Sequence, residues 1–272
     1  MNILHAIVLG VVQGLTEFIP VSSTAHLFIV GHYLGLPADD RTFAFNVIVQ
    51  LGTVAALLVF FWRDYWQIAL AVFHGMKRGK PVDDFHAQLG WLVIAATIPA
   101  GFVGLALNRF VKDMSSDPLL WAGIRLLFTA ALLAAVEYFD KKKRALESAT
   151  TTDALTVGLF QVLAIFPGAS RSGATMAGAM LRGFDRASAA RFAFLMSAPI
   201  LMAAGLYETV QVILQPNTTE FLPILIAGFV TSAIVGWVAI RWLLEYLRNH
   251  SLYIFSLYCL LAGAAIFVVR NS

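Results

Sequence analysis

The stretch Gly10-Val-Val-Gln-Gly-Leu-Thr-Glu-Phe-Ile-Pro-Val-Ser-Ser-Thr-Ala-His26 decides how the rest of the chain is read. It starts as a membrane segment starts: residues 3–12 are almost wholly apolar, and residues 27–36 are mainly apolar again. Between them stand Gln13, Glu17, Pro20, Ser22, Ser23, Thr24 and His26. An ionisable side chain at membrane depth costs at least about 2.5 kcal/mol, so it is rare there and usually functional. Gln13 and Glu17 are four residues apart and share a helix face. Proline cannot continue that helix without losing a hydrogen bond. Ser22 or Ser23 is then a natural N-cap for a second short helix, with His26 on the hydroxyl-bearing face. Two half-helices are predicted to meet at a polar break, the second presenting free backbone N–H groups and the positive end of its dipole to an anion. The competing reading is that the hydroxyls only bond backbone carbonyls and that His26 only packs. It serves for one residue better than for the whole cluster.

The surroundings fix the class. Of 272 residues, 59% are hydrophobic and 13% charged, and the mean hydropathy is +0.77. This is the composition of an all-α polytopic membrane protein, read as one membrane domain over residues 1–272. A net charge of +3, dispersed along the chain, speaks against a nucleic-acid partner. The single Cys259 excludes an internal disulfide and reads as a small core residue. No basic start precedes the first apolar run, so that run is not read as a cleavable signal. Spans are expected at 43–62, 85–107 (kinked or hinged near Pro99), 119–139, 186–207, 221–244 and 252–269, with loops at 63–84 and 108–118. Asn46 and Gln50 either face the polar site or tie helices together. Arg125, near one end of its span, is expected to snorkel.

The second half opens with residues 155–166, about a dozen, where a bilayer span needs about 20. Then come Pro167-Gly-Ala-Ser-Arg-Ser-Gly-Ala-Thr175 and a short run of apolar and small residues, 176–181. Gly10-Val-Val-Gln-Gly-Leu-Thr-Glu-Phe18 can be laid on Gly158-Leu-Phe-Gln-Val-Leu-Ala-Ile-Phe166, and with one residue of slip Pro20-Val-Ser-Ser23 falls on Pro167-Gly-Ala-Ser170. The expectation is two inverted repeats, residues 1–145 and 150–272, each a re-entrant broken-helix hairpin followed by three transmembrane helices. Positive residues favour the cytoplasmic side. The basic residues of 63–80, the cluster Lys141, Lys142, Lys143 and Arg144, Arg182, Arg186 and the turn at Arg248 all fall there if both termini are outside. Arg41, Arg109 and Lys112 run against this count.

Within the second break, Arg171 stands between Ser170 and Ser172, with Gly168 and Gly173 keeping bulk low. Ser170 can cap the following helix, and the planar fork of Arg171 suits phosphate. Combined, the breaks offer a carboxylate, hydroxyls and an imidazole on one side, and a guanidinium, hydroxyls and backbone donors on the other. If their tips meet, the site can bind a di-anion at a metal held by Glu17, since a hard cation such as Mg²⁺ takes a carboxylate or two plus substrate phosphate. A lipid diphosphate is a substrate such a site can receive from the bilayer; the residues alone reach as far as a phosphate-bearing, lipid-accessible ligand.

Gln13-x-x-x-Glu17, Pro20-Val-Ser-Ser-Thr-Ala-His26 and Pro167-Gly-Ala-Ser-Arg-Ser-Gly-Ala-Thr175 resemble the defining motifs of the undecaprenyl-diphosphate phosphatase family, the integral-membrane family once named for bacitracin resistance. The resemblance spans nearly the whole chain. It implies hydrolysis of undecaprenyl diphosphate to the monophosphate carrier lipid of cell-wall synthesis, a divalent cation (Mg²⁺ or Ca²⁺), and a bacterial inner membrane. By position it carries function onto Glu17, Ser23, His26, Ser170, Arg171 and Thr175, with Ser22, Thr24 and Ser172 completing the expected phosphate-binding set. Gln13 stands where many relatives have a glutamate, which leaves it a metal ligand directly or through water. A homodimer is left open.

The rival reading is a lipid or ion transporter, because inverted repeats with broken helices serve transport too. Three chemistries of attack also fit the residues. Ser23 attacks phosphorus with His26 as base, His26 itself forms a phospho-enzyme, or metal-bound water attacks with His26 as base. The three-residue helical spacing puts Ser23 and His26 within expected hydrogen-bond reach.

Overall fold

The first apolar run becomes helix α1, Ile3–Phe18, capped at its start by Asn2, whose side chain accepts from the His5 N–H. It stops where Pro20 has no N–H to give. The backbone then turns through Ser22 at φ 69°, and α2 runs Ser23–Tyr33. In this computed structural model, residues 1–37, 39–113, 117–139, 144–164, 169–213 and 218–271 are described. The helices that follow are α3 (Asp40–Phe60), α4 (Trp62–Lys77), α5 (Phe85–Asp113), α6 (Pro118–Tyr138), α7 (Thr151–Leu163), α8 (Arg171–Leu181), α9 (Arg186–Ile213), α10 (Thr218–Asn249) and α11 (Tyr253–Asn271). The described residues form no strand, so the chain is all-α, and six helices are long and apolar enough to cross a membrane: α3, α5, α6, α9, α10 and α11.

Two expected loops are corrected. Residues 63–84 contain α4, because Trp62, Trp66, Leu70 and Phe73 recur at helical spacing on one exposed face, and Asp64 in the first turn and Lys77 in the last suit the dipole. Residues 108–113 extend α5 rather than forming a loop. The basic cluster at 141–143 and the Pro167-Gly168 part of the second break lie outside the described residues.

At 1.5 Å per residue, α1 and α2 are about 24 and 17 Å long, and α7 and α8 about 20 and 17 Å, against a hydrocarbon core of about 30 Å. None crosses alone. Each pair packs on itself, and the leading helix of each packs on a full span of the other half: α1 on α10, and α7 on α5. Small residues permit these approaches. A side chain at Gly10 would stand 2.9 Å from the Gly228 carbonyl, one at Gly14 2.9 Å from the Gly236 nitrogen, and one at Gly158 would strike the Ala96 carbonyl.

The core gathers around α8 and α9. Residues Ser172 to Met180 of α8 are all buried, and Phe184, Phe192 and Phe194 close the bundle beneath them. Pro99 and Pro199 stand inside α5 and α9. Proline frees the carbonyl four residues back, and at Leu195 the hydroxyl of Tyr65 takes it up at 3.3 Å. The base of α7 is fixed by a capping box between Thr150 and Asp153. Burial opposes charge on Asp153, but bonds from Arg144, Thr150 and Arg182 outweigh it and hold the carboxyl well below the usual range. Glu137 is likewise buried, with Arg186 donating to both its oxygens and the Leu252 N–H to one. These ion pairs bind helix ends.

Candidate active site

The third buried carboxylate is Glu17, in the last turn of α1. One oxygen pairs with Arg171, the first residue of α8, across the gap between the two breaks. The other accepts from Gln13 Nε2 at 2.9 Å, one helical turn back, and from Ser23 Oγ at 2.7 Å, on the far side of the turn. The two breaks therefore meet, and the contact between them is an ion pair.

Ser22 occupies the N-cap of α2 without a side-chain cap bond, and it is the one non-glycine residue with positive φ among the described residues. Such a backbone costs of order 1–3 kcal/mol and is found at functional turns. Here it aims the Ser22 carbonyl at His26, whose Nδ1 lies 2.8 Å away. A carbonyl only accepts, so Nδ1 carries the hydrogen and the neutral ring's Nε2 accepts from the Tyr258 hydroxyl at 2.7 Å. Ser23 and His26 are thus not hydrogen-bonded to one another. Their helical spacing places them near each other, but the turn sends Ser23 Oγ back to Glu17 while the imidazole folds onto its own helix start.

On the second break Ser170 caps α8, accepting from the Gly173 N–H at 3.3 Å. Its own N–H donates to the Thr129 hydroxyl of α6 at 3.1 Å, and Ser170 and Ser172 share a hydrogen bond at 3.2 Å. The Ser172 hydroxyl also reaches the Ile19 carbonyl of the first break at 3.5 Å. Thr175 donates to the Arg171 carbonyl at 2.8 Å, bracing that residue from behind.

Between the breaks lies a cavity of about 230 Å³. Glu17, Ser22, Ser23, Thr24, Ser170, Arg171 and Ser172 line it, so seven of the expected residues come together. Gln13 instead lines a neighbouring cavity of about 190 Å³ with Phe28, Phe43 and Asn46, while Glu17, Ser23, Thr24 and Gln50 border both. His26 lines neither. Three lining or supporting residues were missed in the sequence. Gln161 of α7 lines the larger cavity, and its only signal was its place opposite Gln13 in the repeat. Arg125 also lines it instead of snorkelling to the surface. Tyr258, so distant in sequence from His26, gave no signal.

Among the described residues no three carboxylates, imidazoles or thiolates converge as a metal cluster. Glu17 is the one carboxylate lining either cavity, beside amide and hydroxyl oxygens. That set is too sparse for an all-protein cage but fits a hard cation that arrives with phosphate and keeps much of its water.

Six spans, two broken pairs of short helices meeting at an ion pair, and hydroxyls around a guanidinium define a polytopic membrane protein with an oxyanion site at the junction. The chain belongs to the family described as Bacitracin resistance protein BacA, which it matches over residues 6–265. It is 40% identical to the undecaprenyl-diphosphatase of Anaeromyxobacter dehalogenans over 268 residues, covering 98% of this chain and 91% of the relative. The undecaprenyl-diphosphatase of Chlorobium phaeovibrioides is 40% identical over 281 residues (100% and 98% covered), and that of Thermomicrobium roseum 37% identical over 275 (99% and 98%).

Proposed function

We propose that this chain hydrolyses undecaprenyl diphosphate to undecaprenyl phosphate and inorganic phosphate, returning the carrier lipid to cell-wall synthesis. The convergence of Glu17, Ser23 and Arg171 on one cavity carries this reading, in a chain whose relatives bear the name undecaprenyl-diphosphatase. A cavity of about 230 Å³ falls below the roughly 300–1,000 Å³ of drug-sized pockets, so it suits a headgroup whose polyprenyl chain stays in the bilayer.

At rest Arg171 pairs with Glu17. A phosphate entering the cavity competes for the guanidinium, whose fork matches two phosphate oxygens. Glu17 is then free to take the proton of Ser23 as Oγ attacks the terminal phosphorus. The Oγ–phosphorus bond forms, the bond from phosphorus to the bridging oxygen breaks, and the electron pair leaves on the lipid monophosphate, to which Glu17 passes the proton. Water then attacks the phosphoserine. Glu17 accepts its proton and returns it to Oγ, releasing inorganic phosphate. Ser22, Thr24, Ser170 and Ser172 supply donors to phosphate oxygens, and Thr175 braces Arg171. His26 holds the Ser22 carbonyl, and for it to act as base or nucleophile its Nε2 must first exchange Tyr258 for Ser23 or for phosphorus. A divalent cation, Mg²⁺ or Ca²⁺, held by Glu17 with Gln13 directly or through water, supplies charge neutralisation at the diphosphate when bound.

The reading places the protein in a bacterial inner membrane with both termini and the mouth of the site outside, and treats residues 1–145 and 150–272 as inverted repeats of one domain. The crosswise packing of α1 on α10 and α7 on α5 supports the repeats. A cysteine at exposed Glu147, labelled from the cytoplasmic face only, tests the orientation, since Cys259 is buried. The partners required are the lipid diphosphate and the bilayer; a second copy is not required. Release of inorganic phosphate by the purified protein in detergent, abolished by chelator, tests the activity. A transporter alone releases none.

A further inference from the structure

The cavity holds polar groups that this mechanism does not use. Arg125 lies inside the membrane span Leu119–Tyr138 and lines the cavity from α6. Its Nε is buried without a hydrogen-bond partner, and its side chain has no carboxylate partner among the described residues. Glu17 is the one carboxylate on the cavity wall, and Arg171 holds it. Thr129, one turn further along α6, donates to the Arg125 carbonyl at 2.7 Å and accepts the Ser170 N–H at 3.1 Å. The face of α6 that bears Arg125 is therefore tied to the tip of the second hairpin. Gln161 is 2% exposed and lines the same cavity from α7, and neither its amide nitrogen nor its oxygen has a partner. A charge at membrane depth and a fully buried amide, both unpaired and both on one cavity wall, are groups awaiting a ligand.

We propose that Arg125 and Gln161 form a second oxyanion subsite that holds the lipid-linked phosphate of the diphosphate, and that they make the cavity prefer a diphosphate to a monophosphate. The inference rests on the phosphatase reading above and adds the groups that receive the leaving phosphate. Arg171 and Ser23 engage the terminal phosphorus. When the bridging bond breaks, negative charge grows on the oxygen that departs with the lipid, and an unpaired guanidinium beside it stabilises that charge without reorganising. Gln161 gives two N–H donors to the same phosphate, and its oxygen accepts from water carried in with the headgroup.

Inorganic pyrophosphate and inorganic phosphate, used as competitors of lipid diphosphate hydrolysis by the full-length protein in detergent, test this. The wild-type protein should be inhibited more strongly by pyrophosphate. Arg125→Gln and Gln161→Leu should each weaken pyrophosphate inhibition at least about tenfold, or about 1.4 kcal/mol, while phosphate inhibition moves less than about twofold. Each should also lower kcat/KM for the lipid diphosphate. Thermal unfolding gives a second reading: a purely structural Arg125 loses stability when replaced by Leu, whereas an unpaired buried charge does not. Variants that keep the pyrophosphate preference and kcat/KM within about twofold overturn the subsite, as does Arg125→Leu with a lowered Tm and an unchanged preference. Absence of hydrolysis by the wild-type protein instead overturns the phosphatase reading.

Discussion

The two breaks are built from similar sequence and left in opposite states. In the first, the carboxylate, the amide, the Ser23 hydroxyl and the imidazole are bonded to one another or to their neighbours: Gln13 and Ser23 donate to Glu17, and His26 bridges the Ser22 carbonyl and Tyr258. In the second, Arg171 reaches across to Glu17, but Gln161, opposite Gln13 in the repeat, has no partner, and on the same cavity wall neither has the Nε of Arg125 from α6. A buried polar atom left unpaired costs about 1–3 kcal/mol. One hairpin thus arrives with its reactive groups prearranged, and the other arrives with donors in reserve for an anion. Both use a glycine, Gly10 or Gly158, to bring the leading helix against a neighbouring backbone.

Removing the charge of the prearranged side should have the largest effect. Glu17→Gln keeps the shape and can still accept from Ser23, but it loses the Arg171 pair and the proton acceptor. Loss of an acid–base group costs about 10² to 10⁴ in rate, and phosphate release should fall by that order with the elution profile of the folded protein unchanged. Near-normal, cation-dependent turnover would show that the first hairpin's network is only structural.

Arg171→Lys keeps the charge of the other side and removes its fork. Loss of one aimed donor at a developing charge costs about 10² to 10³ in kcat, and steady-state kinetics on the lipid diphosphate should show it. A fully active lysine variant would reduce Arg171 to the kind of partner that Arg186 is for Glu137.

Those two charges were legible because a charge among apolar neighbours announces itself whatever the fold. The pairing of hydroxyls was not. Helical spacing linked Ser23 to His26, yet the φ of 69° at Ser22 turns Ser23 towards Glu17 instead, and no periodicity encodes a single backbone turn. Arg125 was read as snorkelling because sequence gives its depth along α6 but not the cavity that α7 and α8 build beside it. The helix α4 was hidden by the charges at its two ends, although its Trp62, Trp66, Leu70, Phe73 spacing was present. The bundle of six spans followed from apolar runs alone, which water and lipid sort without reference to detail.

Ser23→Ala sharpens the contrast at its centre. If Ser23 attacks, the rate should drop about 10²-fold or more, as for loss of a key catalytic group. Acid quenching of the wild-type enzyme with labelled substrate should then trap acid-stable phosphoserine. An acid-labile, base-stable adduct would instead assign the attack to His26. No adduct, with more than about a tenth of the rate kept in Ser23→Ala, falls far short of that loss and would point to water as the attacking group and leave Ser23 a donor to Glu17.

The smallest effect expected is at the outer end of the first network, where Tyr258 of α11 donates to His26 Nε2. Tyr258→Phe removes one hydroxyl and keeps the ring that stacks on the imidazole with centroids 5.7 Å apart. A neutral hydrogen bond contributes about 0.5–1.5 kcal/mol net, or roughly two- to tenfold. Since Tyr258 is about half exposed, the loss should sit at the lower end of that range. If His26 serves by holding the Ser22 carbonyl, freeing Nε2 loosens the ring, kcat falls slightly and the pH profile keeps its form. If His26 is the base, Tyr258 blocks it at rest, and the phenylalanine variant should be as active as wild type or faster, with its acid limb displaced. A double-mutant cycle with His26→Asn separates the two, because Asn can still donate to the Ser22 carbonyl but offers nothing to Tyr258. Coupling above about 0.5 kcal/mol means that Tyr258 acts through His26. Additive losses would mean that the first hairpin's network ends at the imidazole and that α11 only packs against it.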